Sequence, residues 1–399
     1  MREGDASGAL NRIKEQNILP GVCGRVCLAP CEASCVFNDE DNSIGIRALE
    51  RYASDNGRTR AHPKDLGAVV KNGKKIAVIG SGPSGLAASY ELIKKGYEVT
   101  IFEALPKAGG ILRYGIPEFR LPARILDAEI NDIVAAGVVI QTNVIAGQTV
   151  SYEELLKEYQ VIFLAVGAGS PRCDAIAGDH LSGVYYAQEL LMKVNLWEAQ
   201  NYPKASIPTL LGDNVVVIGY GHAAVDAARI VIRLGKKATV VFPGLEEEIR
   251  SYPSEKKSAI EEGVRFEMLV NPLEIVSRDG QRVKGLRCER LDFVEESTGR
   301  WDIKPVPGSE FLIDADTVIV AGTPQPNIVL QRYLPGLQCS ANGTVQVDPQ
   351  TCQTSLDQIF AAGNVVTGAG SLVDAIANGK NAALAMDRYL MGQSVVQEA

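Results

Sequence analysis

Three glycines and one acid have the types and spacing to hold a dinucleotide. They are Gly80, Gly82 and Gly85, followed eighteen residues later by Glu103. In such a set the first glycine turns the chain tightly, the second lets backbone approach a pyrophosphate, and the third lets a helix pack closely on a strand. Pro83 and Ser84 fall where that helix begins, and its free N–H groups and partial positive charge suit phosphate oxygens. A carboxylate at Glu103 is placed to accept the hydroxyls of an adenosine ribose.

The pattern returns later in the chain. Gly219, Gly221 and Ala224 occupy the three glycine positions, with His222 and Ala223 between the last two, and Gly235 matches Gly96. Glu103, however, is matched by Phe242, which is followed by Pro243, Gly244 and the acids Glu246, Glu247 and Glu248. A pocket for the 2′-phosphate of NADP calls for Arg or Lys, and neighbouring carboxylates repel that phosphate. The second site is therefore expected to take NAD(H) in preference to NADP(H), with Arg250 the nearby cation that would rescue a 2′-phosphate if its loop folds back. Phe242 cannot accept a ribose hydrogen bond.

Smaller signals lie between and after these two sets. Gly109 and Gly110 allow backbone to pass close to a flat or anionic ligand, and Arg113 suits a phosphate or carboxylate. Gly167 and Gly322 each follow an apolar run, where small residues leave room for a nucleotide. Gly363 and Asn364 precede a glycine-rich turn, and Ser371 and Leu372 start a helix whose N-terminus is a second place to meet a cofactor. Cys23, Cys27, Cys31 and Cys35 are each separated by three residues, with Pro30 interrupting any continuous helix. Four thiolates from loops and short turns suit an iron–sulfur cluster, zinc knuckles more often use a two-residue gap, and free structural thiols are the plain alternative.

These residues need positioning elements, and the pattern supplies them. Lys75 to Ile79 reads as a buried strand, the residues after Gly82 as a helix, and Tyr97 to Phe102 as a second strand, which together make a βαβ unit. Helices are expected at Ala9 to Gln16, Ile44 to Ala53 and Tyr152 to Tyr159, and a linker at Asp55 to Gly73. A buried strand is expected at Val161 to Gly167. Short strands are expected at Arg265 to Val270, Val283 to Leu291 and Phe311 to Ile313, an apolar run at Asp316 to Ala321, and a last helix running to Leu390. The fold class is α/β, with two Rossmann-like dinucleotide-binding domains preceded by a small helical Cys-rich segment. Expected domains are 1–70 for that segment with its linker, 71–207 plus 323–399 for the first dinucleotide-binding domain, and 208–322 for the second; the resemblance given below makes the first an FAD domain and the second an NAD(P)H domain.

The whole chain is consistent with this. Its 399 residues allow two or three domains, and 46% hydrophobic with 22% charged residues is ordinary for a globular fold. A net charge of −8 without a basic run argues against nucleic-acid or anionic-membrane binding. No apolar stretch approaches the ~18 residues of a spanning helix, and no signal-peptide core opens the chain, so a cytoplasmic protein is expected. Cys173, Cys288, Cys339 and Cys352 are scattered, which does not resemble a secreted disulfide framework. No paired cysteines follow residue 35, so thiol–disulfide chemistry at a flavin is not expected.

Taken together, these motifs resemble the family of the small, NADPH-oxidising subunit of glutamate synthase, which includes the N-terminal half of dihydropyrimidine dehydrogenase and the large subunit of electron-bifurcating transhydrogenases. The resemblance rests on Cys-Gly-Arg-Val-Cys at 23–27 with Cys31 and Cys35, the fingerprints at 80–85 and 219–224, the Gly-Gly-Ile-Leu-Arg-Tyr-Gly-Ile-Pro loop at 109–117, and Ala-Gly-Asn at 362–364. It implies FAD in the first domain, a nicotinamide nucleotide in the second, and electron transfer between that nucleotide and Fe–S centres of a partner redox subunit. No side chain need act as acid or base in the hydride step, so no catalytic residue is expected. The chain departs from the family at three places. The upstream cysteine group of two-cluster members is not in this sequence, which leaves one 4Fe–4S cluster on Cys23, Cys27, Cys31 and Cys35, alone or with a partner. The family's Tyr-Arg-Arg at the 2′-phosphate corresponds to Phe242-Pro243-Gly244, and its flavin-contacting acid to Asn364. The last two also suit a rival role, a non-catalytic docking subunit that keeps FAD.

Overall fold

The computed structural model describes residues 4–37, 44–58, 69–171, 176–197, 211–245, 248, 253–295, 301–326 and 330–393. The chain divides into two compact units. The first comprises Met1–Arg113, Glu118–Ser170 and Pro324–Ala399, and the second Tyr114–Pro117 and Pro171–Thr323.

The first unit opens with helices α1 (Ala6–Lys14), α2 (Pro20–Val26), α3 (Pro30–Ala33) and α4 (Ile46–Gly57). Helix α1 starts earlier than its apolar pattern predicts because the Asp5 carboxylate accepts the Gly8 N–H at 2.8 Å and caps it. As expected, Pro30 prevents one continuous helix: α2 stops at Val26, Ala29 is left-handed, and α3 begins at the proline. The nucleotide fold follows as β1 (Lys75–Ile79), α5 (Pro83–Lys94), β2 (Glu98–Phe102), α6 (Ile111–Tyr114), α7 (Ala123–Ala135), β3 (Val139–Gln141), α8 (Tyr152–Glu158) and β4 (Val161–Leu164). Helix α8 is closed at its start by a reciprocal Ser151–Glu154 capping box. Residues 59–68 of the predicted linker lie outside the described residues.

The second unit contributes β5 (Val184–Tyr186), α9 (Ala187–Leu196), β6 (Asn214–Ile218), α10 (His222–Arg233), β7 (Lys237–Phe242), α11 (Pro253–Glu261) and β8 (Arg265–Met268). It continues with β9 (Val270–Ser277), β10 (Val283–Glu295), β11 (Trp301–Pro305), β12 (Phe311–Asp314) and β13 (Thr317–Val320). The chain then completes the first unit with α12 (Leu330–Tyr333), β14 (Ile359–Ala361), α13 (Asn364–Thr367) and α14 (Leu372–Leu390).

The two units carry the same parallel sheet. The first has the order β14-β4-β1-β2-β3 and the second β5-β13-β6-β7-β8. In each, the chain leaves the strand that precedes the glycine turn, β1 or β6, for one side and later returns to its other side, which makes the switch point where open α/β sheets bind ligands. Strands β1 and β4 are almost wholly buried, as strands covered on both faces must be. Between β8 and β13 the second unit inserts an antiparallel sheet with β10 at its centre, paired with β9, β11 and β12.

The first seventy residues do not stand apart as a separate domain. Glu129 of α7, fully buried, accepts the N–H groups of Gly21 at 2.6 Å and Val22 at 3.1 Å, the unpaired donors at the start of α2. Arg58 lies 3.5 Å from the same carboxylate and 3.1 Å from Asp132, which also pairs with Lys14 at 2.5 Å. These contacts join the N-terminal helices to the nucleotide fold. Similarly, residues 176–197, expected in the FAD domain, belong to the second unit because β5 pairs in parallel with β13.

Candidate functional site

In the first unit the glycine turn sits at the C-terminal end of β1, as predicted. Gly80 has φ +104° and donates its N–H to the Phe102 carbonyl at 2.9 Å, while Ala165 donates to Ile79 at 2.9 Å. Gly82 is the N-cap of α5, Pro83 fills its first position, and a side chain at Gly82 would project into open space. Gly85 is held so closely that a Cβ there would lie 2.1 Å from the Gly80 carbonyl oxygen.

Glu103 is buried at the end of β2, facing this turn. Its Oε2 accepts the backbone N–H of Ser81 at 3.0 Å and the Ser81 hydroxyl, and its Oε1 accepts from Leu105 N–H at 2.9 Å. The Ser81 hydroxyl in turn accepts the Gly109 N–H at 2.9 Å. A Cβ on Gly110 would stand 2.9 Å from the Gly82 Cα, so the two loops touch backbone to backbone. Ser81 therefore joins three predicted pieces: the turn, the acid and the Gly109–Gly110 loop. Sequence reasoning missed it; the only signal was a small polar residue between the first two glycines.

Arg113, expected to hold a phosphate or carboxylate of a ligand, pairs its guanidinium with Asp127 and donates from Nε to the Ala108 carbonyl at 2.5 Å. The cation shapes its own loop. Gly363 brings backbone against the start of α5, since a Cβ there would meet Ser84 at 2.8 Å, and Asn364 begins α13. Ser371 caps α14 by accepting the Asp374 N–H at 3.2 Å, with Leu372 its first residue, as predicted. Gly167 has open space where a side chain would be.

These residues fit FAD. The Ser84 hydroxyl is buried in the first turn of α5 without a hydrogen-bond partner, beside Gly363 and the open Gly82. An orphaned donor at a helix N-terminus suits a phosphate oxygen.

The second unit repeats the turn hydrogen bond for hydrogen bond. Gly219, at φ +140°, donates to Val241 at 3.1 Å, and Ala321 donates to Ile218 at 2.8 Å. Gly221 caps α10 with open space at its Cβ, Ala224 is buried in the first turn, and Gly322 is likewise open. His222 Nδ1 lies 3.3 Å from a Glu255 carboxylate oxygen on α11, a pair invisible to the sequence; Ala223 is half-buried beside it. This cradle fits a dinucleotide pyrophosphate. The ribose end differs: Tyr220, between the two glycines, stacks on Phe242, with ring centroids 5.1 Å apart and planes at 27°. A side chain at Gly244 would collide with the Phe242 ring at 2.4 Å. Glu248 accepts the Leu245 N–H at 2.8 Å, and Glu246, Glu247 and Arg250 lie outside the described residues.

The four cysteines are not brought together. Cys23 is 1% exposed with Sγ 3.7 Å from Asn17 Oδ1, Cys27 Sγ accepts the Ala29 N–H at 3.3 Å, Cys31 is exposed and Cys35 half-buried. Among the described residues no three His, Cys, Asp or Glu side chains gather where they would hold a metal ion. Cys23 and Cys27 lie on and just after α2, and Cys31 on α3, which begins at Pro30. Burial pushes the Cys23 thiol well above its ordinary range and Cys288 up to about 12. Native alkylation with iodoacetamide is thus expected to label Cys31 first and to spare Cys23 and Cys288 until the chain unfolds. Peptide mass mapping reads this, and early labelling of Cys23 would mean that α2 opens. Cys173 lies outside the described residues. Among those described, no helix is long and apolar enough to cross a membrane.

Comparison with known proteins agrees with this geometry. The pyridine nucleotide-disulphide oxidoreductase family matches residues 55–379, and dihydropyrimidine dehydrogenase domain II, 4Fe-4S cluster, matches residues 1–62. The chain is 35% identical to the beta subunit of the NADP(+)-dependent formate dehydrogenase of Moorella thermoacetica, over 98% of this chain and 57% of that protein. It is 33% identical to the glutamate synthase [NADPH] small chain of Escherichia coli K12, over 96% of this chain and 83% of that one. It thus spans little more than half of the first relative and most of the second. Among solved structures, Mycobacterium tuberculosis FprA in complex with NADPH shares the fold, with a TM-score of 0.64 and 19% identity over 80% of this chain and 85% of that one. By sequence, fold and both glycine turns, the chain belongs to the pyridine nucleotide-disulphide oxidoreductase family, among the relatives of the glutamate synthase small chains.

Proposed function

We propose that this chain is the FAD-dependent NAD(P)H oxidoreductase component of a larger redox assembly, exchanging electrons between a nicotinamide nucleotide, NAD(H) in preference to NADP(H), and redox centres of a partner subunit. One observation carries it: the same turn on the same sheet occurs twice, with a buried carboxylate at the ribose end of one and none at the other. The chemistry FAD would supply when bound is that of taking one hydride, and with it two electrons, from the nicotinamide and passing the electrons on singly. The chain's residues bind and orient. Gly82, Pro83, Ser84 and Gly85 with α5 would hold the FAD pyrophosphate, and Glu103, kept in place by Ser81, its adenosine ribose. Gly109, Gly110, Gly167, Gly363, Asn364, Ser371 and Leu372 would line the same cofactor. Gly219, Gly221, His222, Ala223, Ala224 and Gly322 would hold the nicotinamide nucleotide.

The preference for NAD(H) is supported by Phe242-Pro243-Gly244 standing where a 2′-phosphate site needs cations, and by Glu248 nearby. Several relatives carry NADPH or NADP in their names, so the NAD(H) preference rests on the residues of this chain alone. A partner is supported by relatives named as subunits of formate dehydrogenase and of an NADPH-Fe(3+) oxidoreductase. The match of residues 1–62 supports an iron–sulfur role for the N-terminal segment.

Anaerobic titration tests the proposal. NADH is expected to bleach the flavin band near roughly 450 nm of the FAD-loaded protein, faster than NADPH does. Retained FAD with no bleaching by either nucleotide would leave the docking-subunit role instead. Bleaching by NADPH alone would reverse the nucleotide assignment.

A further inference from the structure

The N-terminal segment that carries Cys23 is tied to two helices, and each of these also reaches the cradle that would take FAD. One is α7. Its Leu126 side chain packs so near Gly109 that a Cβ on that glycine would lie 2.8 Å from it, and its Asp127 pairs with Arg113, which anchors the same Gly109–Gly110 loop. Less than one turn further on, Glu129 accepts the Gly21 and Val22 N–H groups at the start of α2. The other is α14, which opens at Ser371 and Leu372. Its Gly379 sits where a Cβ would lie 2.2 Å from the Ser84 carbonyl oxygen, and the next residue, Lys380, donates to the Gln16 carbonyl at 2.9 Å and to the Gln16 side-chain oxygen at 3.1 Å. The start of α2 has little slack, since a Cβ on Gly21 would stand 2.5 Å from the Ser54 hydroxyl of α4 and 2.9 Å from Glu129 Oε1.

We propose that flavin binding in the first unit and closure of the N-terminal segment are thermodynamically coupled through α7 and α14, so that losing the flavin loosens α2 and uncovers Cys23. This rests on the reading that the first unit binds FAD. The contacts define the two states of the segment. It is closed when Gly21 and Val22 are bonded to Glu129 and Cys23 is buried, and open when those bonds are broken. A flavin that fixes the Gly109–Gly110 loop and the start of α14 also restrains Leu126, Asp127 and Gly379, and with them the neighbouring Glu129 and Lys380, whose ties exist only in the closed state. Opening then disturbs groups that the flavin holds, which is the differential interaction that coupling requires. The reverse follows with the same factor, because an opened segment leaves both helices less constrained and the cradle binds flavin more weakly. Both ties lie within the first unit, and neither Glu129 nor Lys380 is a residue assigned to the cofactor. A reagent for Cys23 therefore meets it before the flavin binds and is shut out afterwards.

Amide hydrogen exchange and iodoacetamide labelling of the full chain, stripped of FAD and then reloaded with it, test the coupling. Exchange at Gly21 and Val22 and labelling of Cys23 are expected to slow at least about fivefold when FAD binds, the lower end of coupling between sites. The amides of α8, in the same unit but outside both ties, should keep their rates. The double replacement Glu129→Ala with Lys380→Ala, which releases both ties, should weaken FAD binding at least about fivefold and remove the protection of Cys23 by FAD. Slowing of α8 by the same factor as α2 would overturn the proposal, because the flavin would then stabilise the unit as a whole. Unchanged α2 exchange and Cys23 labelling in a protein that shows the flavin band would overturn it too and leave the FAD reading intact, whereas a parent protein that takes up no FAD sinks both. Parental FAD affinity in a folded double variant whose Cys23 labels fast would also overturn it. Thermal melting shows whether that variant folds, and the comparison of stripped and reloaded parent decides the matter without it.

Discussion

Replacing Glu129 with alanine is expected to destabilise the first unit by about 2–5 kcal/mol, the scale for leaving two buried N–H donors without their acceptor. The carboxylate is fully buried, closes the N-terminus of α2 through the Gly21 and Val22 N–H groups, and faces Arg58. Alanine leaves two helix donors and a guanidinium without it. The same residue makes stability depend on pH in a distinctive direction. Burial pushes the Glu129 carboxyl up to about 7 from an ordinary 4.5, with the Gly21 N–H, Arg58 and the Val22 N–H pulling the other way. Between those values the unfolded chain has released the proton that the folded chain still holds. Stability from this group is therefore full below about 4.5 and is lost as pH rises towards 7, by roughly 3 kcal/mol in all. Glu129→Gln keeps an acceptor and abolishes the titration. Urea melts of parent and Gln variant from pH 4.5 to 8 should show the parent losing ground to the variant as pH rises. A difference that stays flat would show that Glu129 is ionised in the fold throughout.

Gly85→Ala is expected to lower flavin retention by at least about 100-fold. The added Cβ would lie 2.1 Å from the Gly80 carbonyl oxygen, and the obstacle is backbone rather than a side chain that could swing aside. Either α5 moves away from β1 or the turn opens. Both displace the helix N-terminus that would face the pyrophosphate, and misplacing such donors forfeits charge-assisted hydrogen bonds. The ratio of absorbance near 450 nm to that at 280 nm (rough positions for a flavin cofactor and for protein) after gel filtration reads this. Ala224 holds the matching position in the second unit with its Cβ accommodated and buried, so Ala224→Gly should change nucleotide binding only slightly. A Gly85→Ala protein that keeps its flavin would show that the close approach is not needed.

The fold was legible where residue types are forced by backbone geometry. Gly80, Gly82 and Gly85, the buried strands on either side, and their repeat at 219–224 gave both parallel sheets, because close approach and φ above zero leave few alternatives to glycine. The C-terminal helix and its Ser371 cap followed from local chemistry in the same way. What was missed depends on contacts distant in sequence. Helix α7 carries no ligand motif, yet its Glu129 holds α2 across 108 residues and so joins the cysteine segment to the nucleotide fold. Arg113 looked like an anion binder because nothing local reveals Asp127 as its partner. Which of the four evenly spaced cysteines a short helix buries is likewise not legible from their spacing.

The shared strand order of the two sheets bears on how such a chain changes over generations. With scaffold, turn and flanking hydrogen bonds held in common, the chemical identity of each site is concentrated in two side chains per copy, Ser81 with Glu103 and Tyr220 with Phe242. Ser81 and Tyr220 lie in the turns, whereas Phe242 is the last residue of β7 and is buried, so exchanging one pair for the other reaches into a strand end.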